Sequence, residues 1–247
     1  MWPVYVINMR DQHARMEAAA TQLDCLSVPF LRFEAVNGRT LDTEKVEAVY
    51  DSNANRKRFR HKLVAGEIGV YLSHLALWSK VAQADAPGAI ILEDDFVADE
   101  SLPCALSTLC CDEDDWDMVK LYSRKPGRKV VSERFLENGM GLVVPWQVPT
   151  STIGYLIRKD AAARLLSQRE RFFRPVDEDL RWVWEHQLDI RLLRPPPLDQ
   201  GGEAKAANSV ESARKSTGRN SLSQGWKNLK YRVHYLTRLF FYRLLGF

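Results

Sequence analysis

Three adjacent carboxylates at the end of a short apolar segment are the residues of this sequence best suited to chemistry. Glu93, Asp94 and Asp95 directly follow Gly88–Leu92, a run typical of a buried strand. Like charges held this close repel one another and raise their own pKa values unless a cation neutralises them. Because hard carboxylate oxygens suit Mg²⁺ or Mn²⁺, the cluster predicts a divalent metal site. A solvated acidic turn is the alternative that the local pattern leaves open.

The segments around these acids alternate between strand and helix patterns. Strands are predicted at Val4–Ile7, Phe30–Val36, Gly88–Leu92, Asp117–Tyr122, Gly154–Ile157 and Asp189–Leu193, and helices at Asp11–Leu23, Gly66–Ala84, Lys159–Leu166 and Asp177–His186. The polar segment Asp51–Lys62 is predicted to be an exposed loop. This alternation predicts an α/β fold with a mostly parallel sheet flanked by helices, which binds ligands at the carboxyl ends of its strands.

No glycine-rich phosphate loop of the dinucleotide or Walker type occurs in the sequence. The diphosphate charge of a bound nucleotide would therefore have to be met chiefly by a metal and a few side chains. The acid cluster stands at the carboxyl end of its predicted strand, where such a ligand is expected.

Composition places the chain among ordinary globular proteins. Of its 247 residues, 45% are hydrophobic and 27% charged, which argues against a wholly disordered chain. The four cysteines lack paired metal spacing, and adjacent Cys110 and Cys111 are poorly placed for a disulfide framework, so we expect them to be reduced. With neither a secretory signal nor an apolar run of membrane-spanning length in the sequence, we expect a cytoplasmic protein.

Charge divides the chain into two parts. Eight of the 35 Lys and Arg residues, and no acid, follow Glu211, which leaves 27 basic against 32 acidic residues up to and including Glu211. We therefore predict a folded domain over residues 1–205, and a linker with a basic amphipathic helix over residues 206–247.

The tail has apolar residues at steps of three or four, which predicts one apolar helix face. They are Leu222, Trp226, Leu229, Val233, Leu236, Phe240, Leu244 and Phe247. Such a helix can lie in an anionic membrane surface, and the alternative is a core-packing or dimerising helix, so the oligomeric state stays open. No nucleic-acid reading motif accompanies the charge, so we expect no nucleic-acid partner.

Six separated segments resemble glycosyltransferase family 25, the lipopolysaccharide and lipooligosaccharide galactosyltransferase-like enzymes. In chain order they are Val6–Arg10 with Arg15, Phe33–Gly38, Gly66–His74, Ile91–Asp95, Thr152–Ile157 and Pro175–Asp177. The Gly-Glu-Ile-Gly block that ends in Ser73 and His74, followed by Glu-Asp-Asp, is the most specific part of the likeness.

The resemblance implies a GT-A-like, Rossmann-related fold and an inverting transfer of a hexose. The donor would be a UDP-sugar, UDP-galactose or UDP-glucose, and the cofactor Mn²⁺ or Mg²⁺. The acceptor would be a lipid-linked saccharide of the lipopolysaccharide or lipooligosaccharide core type, met by a peripheral protein at the inner face of the cytoplasmic membrane. From another class, the alternative is a catalytically silent saccharide- or nucleotide-binding scaffold, against which the intact acid cluster argues.

The same resemblance assigns roles to the acids. Asp95 and Asp94 would hold the metal, with Glu93 or Asp94 also contacting the donor. Inversion needs one base to take the acceptor proton, and Asp177 is the candidate, with Glu178 and Asp179 as competitors. The alternative for all three is that they cap a helix.

Other candidates lie on the first strand, the long helix and the end of the domain. Asn8, Arg10 and Arg15 are predicted to bind the donor, although arginines in a first helix are most often solvated. The resemblance implies that Gln200 folds over the donor as part of a lid, and a simple hinge at Gly201-Gly202 is the alternative. Glu67 and His74 share one helix face and are predicted to line the sugar site, with Ile68, Leu72 and Leu75 toward the core. A buried, hydrogen-bonded histidine is the alternative for His74.

Overall fold

Strands and helices alternate along most of the chain in the computed structural model, which describes residues 1–125, 129–168, 170–201 and 222–245. The strands are β1 (Val4–Asn8), β2 (Leu31–Glu34), β3 (Gly88–Glu93), β4 (Phe96–Ala98), β5 (Met118–Lys120), β6 (Val130–Phe135), β7 (Gly141–Pro145), β8 (Gly154–Arg158), β9 (Ile190–Arg194) and β10 (Leu198–Gln200). The helices are α1 (His13–Cys25), α2 (Thr43–Val49), α3 (Ser52–Arg58), α4 (Ala65–Gln83), α5 (Leu102–Cys111), α6 (Lys159–Ser167), α7 (Val176–Asp179), α8 (Val183–His186) and α9 (Leu222–Leu245).

Eight strands form one sheet in the order β2-β1-β3-β8-β5-β9-β7-β6, and β10 pairs with β4 separately. Six of the eight point the same way, whereas β8 and β7 run against their neighbours. This arrangement confirms the predicted α/β fold, with a mixed, mostly parallel sheet of the GT-A-like, Rossmann-related kind. The predicted domain boundary at residue 205 lies outside the described residues and stays a prediction.

Both faces of the sheet are buried. In β3, Ala89 and Ile91 belong to one core cluster and Ile90 and Leu92 to the other, as expected when successive side chains of a strand point to opposite faces. All four side chains are 0% exposed. The strand that carries the acids is therefore held rigidly up to its last residue.

The sequence predicted an exposed loop over Asp51–Lys62, but residues Ser52–Arg58 of this segment form helix α3. The Asp51 carboxylate accepts the Ala54 N–H and begins α3, and the buried amide of Asn55 donates to the carbonyls of His61 and Phe173. The helix is thus stabilised by a contact with a segment more than a hundred residues away, which local polarity does not reveal.

Gly38 and Gly69 allow the Phe33–Gly38 and Gly66–His74 segments to pack closely against each other. A Cβ on Gly69 would lie 2.5 Å from the Val36 carbonyl oxygen and 2.7 Å from the Gly38 nitrogen. Ser73 Oγ accepts the Val36 N–H at 2.8 Å and donates to the Gly69 carbonyl. The turn after β2 therefore packs directly on the backbone of α4.

The basic helix α9 forms as predicted, but a different face of it is buried. Tyr231, Tyr235 and Leu239 belong to the core, whereas the described members of the predicted apolar stripe, such as Trp226 and Phe240, are exposed. Packing against the aromatic surface around Trp182 selects the tyrosine face. No described helix is long and apolar enough to cross a membrane.

We expect Gly69→Ala to lower the free energy of unfolding by about 1–3 kcal/mol, because its Cβ would meet backbone atoms that have little room to move. Urea unfolding followed by circular dichroism measures the change. Gly225→Ala in α9 is the matched control, since a Cβ there meets nothing within 4 Å and alanine favours helix by up to about 1 kcal/mol. Equal stability of Gly69→Ala and wild type would contradict the close packing.

Candidate active site

The acids gather where parallel strands end. Ile7 of β1 lies opposite Glu93 of β3 in the register, which brings Asn8, the last residue of β1, beside Asp94. Asn8 Nδ2 donates to Asp94 Oδ2 at 2.7 Å and to the Gln12 carbonyl at 3.0 Å. The carboxyl ends of adjacent strands thus form the crevice expected of such sheets.

One arginine serves two of the carboxylates. From α1, Arg15 Nη2 lies 2.8 Å from Asp94 Oδ1 and 3.4 Å from Asp95 Oδ2. The two aspartate side chains are only 8% and 10% exposed, whereas that of Arg15 is 43% exposed. A single, half-solvated cation leaves the cluster with excess negative charge.

That excess appears in the pKa values of the aspartates. Burial raises the pKa of Asp94 despite the nearby Arg15 and Asn8. Burial and the charges of Glu93 and Asp94 raise the pKa of Asp95 to about 6, with Arg15 opposing the shift. Ionised Asp95 is therefore the least stabilised of the three acids.

Asp95 has a buried carboxylate oxygen that no group among the described residues satisfies. Its Oδ1 is buried without a hydrogen-bond partner, while its backbone carbonyl accepts the Gly201 N–H at 2.9 Å and its side chain interacts with Gln200. An unpaired buried carboxylate oxygen is costly in the absence of a cation. The Asp95 and Asp94 oxygens therefore suit Mg²⁺ or Mn²⁺.

The protein offers this cation only part of a coordination shell. Among the described residues, no group of three or more His, Cys, Asp or Glu side chains has the arrangement of a complete metal site. Mg²⁺ in phosphate-binding proteins is commonly held by one or two carboxylates, with substrate oxygens and water as the other ligands. The donor set present here fits that pattern.

Glu93 faces inward and is compensated from the protein side. Thr152 Oγ1 donates to Glu93 Oε1, and His74 Nε2 lies 3.5 Å from the same oxygen. Burial opposes ionisation of Glu93, but its interactions with His74 and Thr152 outweigh that effect and hold its pKa below the usual value. Glu93 is therefore a fixed carboxylate at the inner wall of the crevice.

His74 is a buried, hydrogen-bonded residue that orders this wall. Its ring is 0% exposed, and its Nδ1 lies 2.7 Å from Tyr155 Oη, which also accepts the Trp78 Nε1–H at 2.9 Å. The helix face that carries His74 points into the protein, whereas Leu72 and Leu75 are only partly buried. Ile68 is buried as predicted, and Leu72 and Leu75 pack against the same core. The polar-aromatic side of α4 is covered as well, by the sheet and α6.

Glu67 and Arg10 lie in other surroundings. Buried Glu67 accepts the Val64 N–H at 2.9 Å and so caps the first turn of α4. Arg10 is exposed next to the crevice, and its carbonyl accepts a hydrogen bond from Arg32. Of the predicted site residues, the structure gathers Asn8, Arg15 and Gln200 around the acid cluster, with His74 behind it.

The acidic segment of α7 divides into two kinds of residue. Glu178 is held by Arg60, Arg181 and the Tyr231 hydroxyl, and Asp179 is held by Arg174 and Tyr71. Both belong to buried ion-pair networks.

Asp177 differs from these two neighbours. It is partly exposed, and its Oδ1 accepts the Glu178 N–H at 2.8 Å. Among the three acids of the segment, it is the one that solvent reaches most readily.

The sequence analysis missed Lys120, a buried lysine that feels the charge of both acidic segments. Its Nζ is buried and donates to the carbonyls of Pro149 and Ser151 at 2.8 and 2.7 Å. Burial lowers the pKa of Lys120 to about 8, although the charges of Asp177 and Glu93 oppose that shift. Both carboxylates are therefore close enough to act on one ammonium group.

Lys120 also holds the loop that supplies Thr152. Ser151 has a φ of 90°, which is unfavourable for a residue with a Cβ, and the hydrogen bond from Lys120 to its carbonyl stabilises that conformation. The available sequence signal was a lone lysine inside the apolar run Met118–Tyr122, since a charged residue there must be paired if the strand is buried.

We expect Asp95→Asn to stabilise the metal-free protein at about pH 7.5 by up to about 3 kcal/mol, because the amide removes an ionised group whose pKa the fold raises from 3.8 to about 6. The gain should vanish below about pH 4, where the carboxyl is protonated in the folded and unfolded chains alike. Chemical unfolding in the presence of a chelator measures it, with the exposed acid Glu100, changed to Gln, as control.

Added Mn²⁺ should then raise the thermal midpoint of the wild type and leave that of Asp95→Asn unchanged, because a ligand that binds only the folded state stabilises it. Differential scanning fluorimetry over a Mn²⁺ titration checks this. Equal increases in both proteins would contradict Asp95 as a ligand.

Comparison of the sequence with known proteins identifies a family. The model of Glycosyltransferase family 25 (LPS biosynthesis protein) matches residues 1–180. Procollagen galactosyltransferases 1-A and 1-B of Xenopus laevis are 29% and 30% identical over 190 residues, which are 74% of this chain and 31% of either protein. The human Inactive glycosyltransferase 25 family member 3 is 28% identical over 197 residues, which are 72% of this chain and 31% of that protein.

The chain thus spans about a third of the length of these curated relatives. The family match covers well over half of the chain and includes all six motif segments that suggested the resemblance. On that ground, the chain belongs to glycosyltransferase family 25.

Proposed function

We propose that this chain is an inverting hexosyltransferase that moves galactose or glucose from a UDP-sugar to a core-type saccharide of lipopolysaccharide or lipooligosaccharide. Relatives named procollagen galactosyltransferases support a galactosyl donor, and the family description, LPS biosynthesis protein, supports this class of acceptor. A lipid-linked acceptor would be met at the inner face of the cytoplasmic membrane.

The observation that carries the proposal is the unpaired, buried Oδ1 of Asp95 within an under-neutralised acid cluster. Asp95 and Asp94 would hold Mn²⁺ or Mg²⁺ together with the donor diphosphate. When bound, the metal would supply Lewis-acid stabilisation of the charge that develops on departing UDP.

Residues around the acids fit the remaining parts of a nucleotide-sugar. The half-exposed guanidinium of Arg15 can donate paired hydrogen bonds to phosphate oxygens, and Arg10 lies exposed near the same strand end. Asn8, Glu93 and Gln200 contribute polar groups whose positions are set by strand pairing and by buried partners. These groups would orient the ribose and sugar, because a preorganised site costs little reorganisation during reaction.

Asp177 is proposed as the base that takes the acceptor proton. Glu178 and Asp179 are buried and each is bound by an arginine, so neither is placed to exchange a proton with an incoming hydroxyl. Asp177 is partly exposed, and it lies close enough to Lys120 to influence that ammonium group together with Glu93. The proposed base would therefore lie near Lys120, as the donor-binding acid Glu93 does.

The second candidate is a catalytically silent saccharide- or nucleotide-binding scaffold. It is favoured by relatives whose names describe inactive members of the family. The intact Glu93-Asp94-Asp95 cluster supports the enzyme instead.

A panel of UDP-hexoses incubated with Mn²⁺ and the purified chain tests the proposal, with released UDP as the readout. We expect hydrolysis of UDP-galactose or UDP-glucose, faster with an added lipooligosaccharide acceptor, and loss of activity in Asp95→Asn or after chelation. Binding of a UDP-sugar by calorimetry without any UDP release would instead support the scaffold.

We expect Asp177→Asn to lower turnover by roughly 10²–10⁴-fold, the range typical of losing a general base, while UDP-sugar binding measured by calorimetry stays near the wild-type value. Glu178→Gln and Asp179→Asn are the matched comparisons. They should lower the thermal midpoint, since Glu178→Gln removes the carboxylate that Arg60 and Arg181 bind, and Asp179→Asn removes one of the two carboxylates that buried Arg174 binds. If one of them removes turnover without loss of stability and Asp177→Asn does not, the base has been misassigned.

A further inference from the structure

Helix α9 is fixed to the body by one of its faces. Tyr231, Tyr235 and Leu239 recur every fourth residue and are buried. The Tyr231 hydroxyl accepts the Trp182 Nε1–H at 3.0 Å and lies 3.2 Å from Glu178 Oε2. The helix is therefore part of the folded unit, and removing it would uncover core residues.

The opposite face of α9 is apolar and exposed. Its members lie about 180° around the helix from the buried tyrosines at roughly 100° per residue. They are Trp226, Leu229, Val233, Leu236, Phe240 and Leu244, with exposed fractions between 38% and 70%. A contiguous exposed apolar surface of this extent marks an interaction site in soluble proteins.

This apolar surface continues toward the body. Phe241 and Leu245 are more than half exposed, and with Trp184 and Arg238 they help to line an open groove of about 610 Å³. The apolar area thus runs along the helix and widens near its end, instead of forming a narrow seam of the kind that pairs two helices.

Positive charge borders the apolar face on both sides. Lys227 and Lys230 lie on one flank and Arg232 on the other, all exposed, and the sequence of α9 contains no acid. A second copy packed face to face would bring two wholly basic helices together, which like-charge repulsion opposes. This face therefore fits a partner that has an extended anionic surface and an apolar interior.

We propose that the exposed face of α9 docks on an anionic lipid bilayer, with the helix lying parallel to the membrane surface. The apolar side chains enter the boundary between headgroups and acyl chains, while Lys227, Lys230 and Arg232 meet lipid phosphates. The buried tyrosine face keeps the body attached in one orientation. The inference does not depend on the transfer reaction, because lipid binding requires no turnover.

Co-sedimentation of the full chain with vesicles tests this docking, using phosphatidylcholine with and without phosphatidylglycerol. We expect binding to the anionic vesicles that weakens with added salt, because surface charges are screened. Leu229→Glu should weaken it by about tenfold or more, since it removes an inserted side chain and adds a repelled charge.

Leu31→Glu on β2 is the matched control, because Leu31 is 55% exposed and Leu229 is 51% exposed. The Leu31→Glu variant should bind vesicles within about twofold of wild type. Leu31 lies on the edge strand β2, whereas α9 contacts β7, near the other edge of the sheet, through Arg243. Unchanged thermal midpoints of both variants would show that the fold is kept.

A second variant tests the charge separately. Lys227→Gln with Lys230→Gln should weaken the preference for anionic over neutral vesicles, with Arg232 retained. Wild type that never binds anionic vesicles, or Leu229→Glu that binds like wild type, would overturn the proposal. So would a wild-type dimer in sedimentation analysis that Leu229→Glu converts to monomers, because a second copy would then occupy the face.

Discussion

Repulsion among three carboxylates at the end of β3 is the constraint on which the site depends. Each acid is compensated differently, in a gradient from the protein interior to solvent. Glu93 is stabilised from within by His74 and Thr152, and Asp94 shares Arg15. Asp95 retains an unpaired oxygen and a pKa raised to about 6, so it is the acid that the fold stabilises least.

A buried polar network beneath the acids converts this constraint into fixed geometry. Tyr155 on β8 joins His74 and Trp78 of α4, while Lys120 on β5 holds the loop that leads into β8. Buried polar groups are costly unless every partner is in place. The network therefore permits few arrangements of these elements, and the inner wall of the crevice is rigid for the same reason.

The C-terminal helix belongs to the same packing unit as the candidate base. Tyr231 of α9 contacts Glu178, which directly follows Asp177. Arg181 forms an ion pair with Glu178, and its guanidinium group lies over the ring of Tyr235. A helix whose outer face is apolar and basic is thus rigidly connected to the segment beside the crevice. Docking of that face on a surface would fix the orientation of the crevice toward it, because no flexible joint within α9 separates the two.

The amino-acid sequence by itself determined the features that depend on near neighbours in the chain. The alternation of apolar runs and helix patterns was sufficient for the α/β fold, and acids directly after Gly88–Leu92 had to emerge at a strand end. The wholly basic charge of the tail was equally visible, since composition requires no partner to be known.

Only the tertiary structure decided which surfaces face each other. His74 meets Tyr155 across 81 residues of sequence, and Lys120 meets Ser151 across 31; helical periodicity gave His74 a face but could not say that the sheet would cover it. The same holds for α9, where two faces were apolar enough to be buried and Trp182 selected the one with the tyrosines. Periodicity defines the faces of an element, whereas burial depends on which distant element arrives to cover one of them.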